Sequence, residues 1–98
     1  MLFRSELLTN VARHAHATEV EVELGKDERE IQLKVRDNGK GITPEALNNP
    51  RALGLLGMRE RASLLGGRVA FERLTPSGTE ATVQIPLSAK DPRLWELV

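Results

Sequence analysis

The chain has 98 residues, of which 14 are basic and 14 acidic, and at this length one core buries roughly 65% of the unfolded surface. A net charge of zero and a pI near 6.7 leave no long-range field to draw in nucleic acid or an acidic membrane, so no nucleic-acid partner is expected. There is no cysteine, which removes disulfides and thiolate metal sites. No apolar run is long enough for a signal peptide or membrane span, so the expected setting is cytoplasmic, whether free or as the cytoplasmic part of a membrane-anchored sensor.

With two Phe and one Trp, the core must come from Leu, Val, Ile and Ala. From Leu2 to about Ala15 there is no Gly or Pro, and Leu7, Leu8, Val11, Ala12 and Ala15 recur at helical spacing, which predicts an amphipathic helix. At roughly 100° per residue, Glu6, Asn10, Arg13 and His14 share the opposite face. Four groups able to bind a metal or a phosphate then form one wall.

Val20, Val22 and Leu24 alternate with Glu19, Glu21 and Glu23, and Ile31, Leu33 and Val35 alternate with Glu30, Gln32, Lys34 and Arg36. These are two strands with one wet face each, joined through the short polar segment Gly25 to Glu28 as an antiparallel hairpin. After Asp37 the pattern gives way to a glycine, proline and asparagine-rich cover, with one helical turn from Pro44 to Leu47. Helical spacing returns at Met58, Ala62 and Leu65, stops at Gly66-Gly67, and is followed by strands from Arg68 to Leu74 and Thr79 to Leu87 about a Pro76-Ser77-Gly78 turn. The expected class is α+β, a two-layer α/β sandwich with helices on one face of a mostly antiparallel sheet. Residues 1–88 form the domain and residues 89–98 a tail, in which Leu94, Trp95, Leu97 and Val98 dock on it.

Two glycine clusters carry candidate chemistry. In Asp37-Asn38-Gly39-Lys40-Gly41-Ile42, a strand-terminal carboxylate can accept from an exocyclic amino group while the glycines let a planar ligand approach the backbone. Alone, this segment fits an ordinary Asp-Asn-Gly turn equally well. Gly54-Leu55-Leu56-Gly57-Met58 opens a helix, whose N-terminal N–H groups can face phosphate oxygens, or it is a glycine-rich helix start with no ligand. Neither cluster matches the Gly-x4-Gly-Lys-[Ser/Thr] loop or the Gly-x-Gly-x-x-Gly fingerprint.

The order of the pieces resembles the histidine-kinase branch of the gyrase, heat-shock chaperone and mismatch-repair ATPases, the Bergerat fold. Glu6-Leu7-Leu8-Thr9-Asn10-Val11-Ala12-Arg13-His14-Ala15 is similar to that family's N box, and Asp37 to Ile42 to its first glycine box. Leu53 to Arg61 with Leu64-Leu65-Gly66-Gly67 is similar to the second glycine box, and Gly78 to Val83 to the closing Gly-Thr strand. The wording Thr-Asn-x-x-Arg-His-Ala and Gly-Met-Arg-Glu-Arg resembles nitrate-sensor-like kinases.

The resemblance implies a domain that binds ATP with Mg²⁺ and donates the γ-phosphate to a histidine on a separate dimerisation domain, in a homodimeric kinase that signals to a response regulator. It implies Asn10 as the Mg²⁺ ligand and Glu6 as a general base or a contact to metal-bound water, although a solvated first-turn carboxylate accounts for Glu6 as well. It implies Arg13 and His14 near the phosphates, with His16 on the surface, and Asp37 on the adenine amino group. Gly39, Gly41 and Ile42 would lie at the base, Gly54, Leu55, Gly57 and Met58 at the phosphate end of the lid, and Thr79 at the adenine end. His14 and His16 are the only histidines, so this polypeptide alone is expected to bind ATP without phosphorylating itself. The chain starts almost at the N box, so it is expected to be N-terminally truncated relative to the family, with an exposed sheet edge. Two alternatives stand beside this reading: a serine protein kinase of the anti-sigma type, and a non-catalytic nucleotide-binding module.

Overall fold

Strict alternation in β2 (Glu30–Asp37) and β4 (Thr79–Pro86) sends Ile31, Leu33, Val35, Ala81, Val83 and Ile85 to one face, where none exceeds 4% exposure. These strands pair antiparallel at the centre of a four-stranded sheet, flanked by the edge strands β1 (Val20–Lys26) and β3 (Arg68–Arg73) in the order β1-β2-β4-β3. The computed structural model describes residues 2–49 and 51–87. The expected tail, with Leu94, Trp95, Leu97 and Val98, lies outside the described residues.

Two helices, α1 (Phe3–Asn10) and α3 (Leu55–Leu64), cover the apolar face, which gives the two layers the sequence predicts. Phe3, Leu7, Leu55, Met58 and Ala62 complete the core against β2 and β4. Burying a side chain of the Leu or Met size contributes about 1.5–3 kcal/mol, so the helix layer and the sheet hold each other in place.

The edge strand β1 departs from the expected pattern. Its inward residues Val20, Val22 and Leu24 are 44%, 47% and 45% exposed, because α1 lies over β2 and α3 over β3 and β4. Its other face carries Glu21 and Glu23, charges that discourage pairing with a further strand.

The N-terminal helix also differs from the single amphipathic rod expected. It is α-helical only to Asn10 and continues as a π-helical turn over Val11–Ala15, ending at His16 in the left-handed conformation at φ 53°. Phe3 and Leu7 are buried and Val11 and Ala15 half-buried, whereas Leu8 and Ala12 point outward. The buried stripe is therefore narrower than the helical spacing suggested, and Asn10 and His14 flank it instead of facing away. The helical turn predicted at Pro44 is α2 (Pro44–Asn48), with Thr43 Oγ1 accepting the Ala46 N–H at 3.1 Å and proline in the first turn.

The end of α3 explains the Gly66-Gly67 pair. Gly67 N–H donates to Ala62 O at 2.7 Å and Gly66 N–H to Ser63 O at 2.9 Å, a Schellman closure that needs the left-handed φ of 75° at Gly66. A Cβ on Gly67 would stand 2.2 Å from Gln84 O and 2.7 Å from Ile85 Cδ1. Gly67→Ala should therefore destabilise the domain by about 2 kcal/mol through overpacking, a fall in melting temperature of roughly 10 °C measurable by circular dichroism.

At the β1–β2 turn, Asp27 Oδ1 accepts the Arg29 N–H at 2.7 Å and the Glu30 N–H at 2.9 Å. These donors, the Arg29 bond first, hold the carboxyl below its ordinary value. A depressed carboxyl stabilises the folded turn fully above its unfolded value, near 3.9, and the contribution is lost as pH falls through the lowered one. Amide exchange at residues 29 and 30 should show protection that is constant at neutral pH and declines only below about pH 4; an equal decline in Asp27→Ala would remove the carboxylate from the explanation.

Candidate functional site

The strand register places a polar row at one end of an otherwise apolar sheet. Val22, Val35, Ala81 and Phe71 face one another across the four strands, and the next row toward the sheet end is Val20, Asp37, Thr79 and Arg73. Between this end and the N-terminal helix lies a cleft of about 210 Å³, far more than the roughly 30 Å³ of one water. Val35, Phe71 and Ala81 line it from the sheet, Leu7, Asn10, Val11 and His14 from the helix, and Lys40 to Thr43 with Ala46 from the cover.

Asp37 is the one buried charged side chain among the described residues, at 6% exposure. Its Oδ1 accepts the Gly39 N–H at 2.8 Å, which offsets part of the cost of taking a carboxylate out of water. A carboxylate has acceptor capacity for more than one donor, and this one lines the cleft.

Glycines are needed here for close approach. A Cβ on Gly39 would lie 2.1 Å from Ala15 O, and one on Gly78 would lie 2.1 Å from Asp37 O. Lys40 N–H donates to the same Ala15 carbonyl at 2.8 Å, so the loop after β2 caps the end of the π turn. Asn38 ties down the chain between them: its Oδ1 accepts from Thr18 N–H at 2.9 Å and Glu19 N–H at 3.0 Å, and its Nδ2 donates to Thr18 Oγ1 at 2.9 Å. The helix wall and the carboxylate are thereby fixed relative to each other.

The start of the cover is clasped by the polar row. Ile42 N–H donates to Thr79 Oγ1 at 2.7 Å, and Arg73 Nη1 donates to Ile42 O at 3.5 Å. The Thr79 oxygen thus serves the chain, and the hydroxyl proton is what it can offer a ligand. Thr79→Val would leave the buried Ile42 N–H without its acceptor, a loss of about 1–3 kcal/mol; thermal denaturation should register it, whereas Thr79→Ser, which keeps the oxygen, should recover most of the loss.

Of the residues singled out by sequence, the cleft gathers Asn10, His14, Asp37, Gly41, Ile42 and Thr79. Gly39 lies behind it, against Ala15. Arg13 is exposed and does not line the cleft, because the π turn adds a residue to the helical repeat and swings it outward. Leu55 and Met58 are fully buried in the core, so their side chains are structural and only their main chain can meet a ligand. Gly57 is exposed, with nothing within 4 Å of a Cβ position. Gly54 adopts φ 70°, and a Cβ there would lie 3.2 Å from Glu6 Oε2. Glu6 is outside the cleft lining and pairs with Arg61 of α3 at 4.0 Å.

Phe71 and Ala81 line the cleft without a sequence motif to mark them, although strand parity puts both in the row beside Asp37 and Thr79. Lys40 and Asn38 likewise acquire their roles only in the folded chain. The signal for Asn38 was its position after a strand, where its side chain can bond backbone groups of a neighbouring segment.

The sequence profile of the family described as histidine kinase-, DNA gyrase B-, and HSP90-like ATPase matches residues 3–89. Sensor histidine kinase LiaS of Bacillus subtilis is 40% identical over 88 residues, covering 88% of this chain and 24% of LiaS. Sensor protein VraS of Staphylococcus haemolyticus is 37% identical over 92 residues, covering 92% of this chain and 26% of VraS. The chain thus spans about a quarter of the length of these relatives. Among solved structures, the blue-light activated histidine kinase EL346 of Erythrobacter litoralis superposes with a TM-score of 0.72 at 28% identity, over 88% of this chain and 29% of that one.

Proposed function

Since the chain belongs to the histidine kinase-, DNA gyrase B-, and HSP90-like ATPase family, we propose that it is the ATP-binding catalytic domain of a two-component sensor histidine kinase. The observation that carries the reading is the buried Asp37 carboxylate at the end of an apolar cleft that faces Asn10 and His14. A planar purine gains burial from Val35, Phe71, Ala81 and Ile42, and its exocyclic amino group donates to Asp37. Guanine presents an acceptor at that position and is disfavoured, since a buried carboxylate left without a donor is costly. Thr79 supports the adenine end through its hydroxyl, directly or through a water.

Mg²⁺ suits the opposite end of the cleft. The ion would be held mainly by phosphate oxygens and water, with Asn10, which lines the cleft, adding its carboxamide oxygen. Bound there, the ion would neutralise charge on the phosphates. The residues of the chain position the γ-phosphate, with His14 beside the phosphates and Glu6 one helical turn before Asn10. The acceptor imidazole comes from a separate dimerisation domain: its nitrogen forms the new bond to phosphorus as the bond to the departing ADP oxygen breaks. In the whole kinase, a homodimer working on the cytoplasmic side, the phosphoryl group then passes to a response regulator.

Calorimetric titration tests the reading directly. ATP with Mg²⁺ should bind in preference to GTP, Asp37→Asn should weaken ATP by roughly tenfold or more, as expected for losing a charge-assisted hydrogen bond, and Asn10→Ala should abolish the benefit of Mg²⁺. A folded sample that gives no heat with ATP, or an Asp37→Asn variant that binds ATP and GTP as the parent does, would reject it.

A further inference from the structure

Arg61 of α3 stands outside the cleft, and its guanidinium makes two contacts at once. Its Cζ lies 5.1 Å from the centroid of the Phe3 ring, and its Nη2 lies 4.0 Å from Glu6 Oε1. Phe3 is 2% exposed, so the ring is a fixed platform for a planar cation. The other oxygen, Glu6 Oε2, lies 3.2 Å from where a Cβ of Gly54 would stand. Glu6 is thereby confined between Arg61 and the chain that leads into α3. Phe3, Glu6, Leu7 and Asn10 occupy a helix at spacings of three and four, so the platform, the carboxylate and the cleft residue follow one strip of α1.

The side chains of Arg61 and Glu6 are 33% and 26% exposed. A pair so open to solvent adds little to stability, but it can decide which rotamer a long side chain occupies, so less rotamer freedom is left to lose when a ligand binds. We infer that Arg61 is a positioning residue that acts through Glu6: it holds the carboxylate one helical turn from Asn10, pre-set to accept hydrogen bonds from the waters that Mg²⁺ retains. This rests on the proposed Mg-ATP function and extends it to a side chain that does not line the cleft.

The test is calorimetry of ATP binding with Mg²⁺ and with EDTA, on the parent chain and on Glu6→Gln, Arg61→Gln, Arg61→Lys and the Glu6→Gln/Arg61→Gln double variant, each first shown folded by its thermal transition. Either Gln substitution should lower the Mg²⁺-dependent gain in ATP affinity by about three- to tenfold, the size of one partly exposed charge-assisted hydrogen bond, while affinity in EDTA stays within about twofold. The double variant should lose no more than the larger single loss, because the two residues act in series. Arg61→Lys, which keeps the charge but not the planar stack, should retain part of the gain. Additive losses, an unchanged Mg²⁺ gain in Arg61→Gln, or equal losses with and without Mg²⁺ would overturn the role assigned to Arg61 and leave the ATP site standing. A parent chain that binds no ATP would overturn the functional reading, and this inference with it.

Discussion

The Ala15 carbonyl accepts the Lys40 N–H at 2.8 Å, and a Cβ on Gly39 would stand 2.1 Å from the same oxygen. This contact joins the end of the N-terminal helix to the loop that leaves β2, and the geometry of the cleft depends on it. Asn10 and His14 reach the cleft from one partner, Asp37 and Ile42 from the other. Only a residue without a side chain lets the two backbones meet, and Asn38 reinforces the junction by holding Thr18 and Glu19.

From that junction the chemistry of the site follows the sheet register. On the two central strands apolar residues fill the interior up to Val35 and Ala81, and the next row turns polar with Asp37 and Thr79, beside Arg73. The cleft therefore offers apolar burial along its floor and a hydrogen-bonding edge at one end. Burial alone discriminates poorly between purines, whereas a buried carboxylate that must find a donor discriminates strongly. In the proposed function, affinity and selectivity would come from adjacent rows of the same strands, and Arg73 and Thr79 use the polar row a second time to hold the backbone of Ile42.

The helix beside the cleft carries the complementary irregularity. Its π turn over Val11–Ala15 follows directly on Asn10, leaves His14 beside the cleft and leaves Arg13 in solvent. Such turns are frequent at functional sites. At the far end of the same strip, Phe3, Glu6 and Arg61 connect α1 to α3, so the helix that lines the cleft is braced by the one that does not.

Much of this was legible in the residues. Period-two alternation determined β2 and β4 and their buried faces, the segment from Pro44 gave the short helix of the cover, and Gly66-Gly67 determined where α3 stops, because each depends on interactions within a few residues. That Asn10, Asp37, Gly41 and Ile42 line one cleft agrees with the order of the boxes along the chain. Tertiary structure decided the rest. Whether the inward face of β1 is covered depends on where α1 and α3 lie. Glu6 meets Arg61 across two helices, and Leu55 and Met58 belong to the core although they stand beside Gly54 and Gly57 in the sequence. Helical spacing assigns a residue to a face but not the direction in which that face looks, and the packing of distant segments supplies that direction.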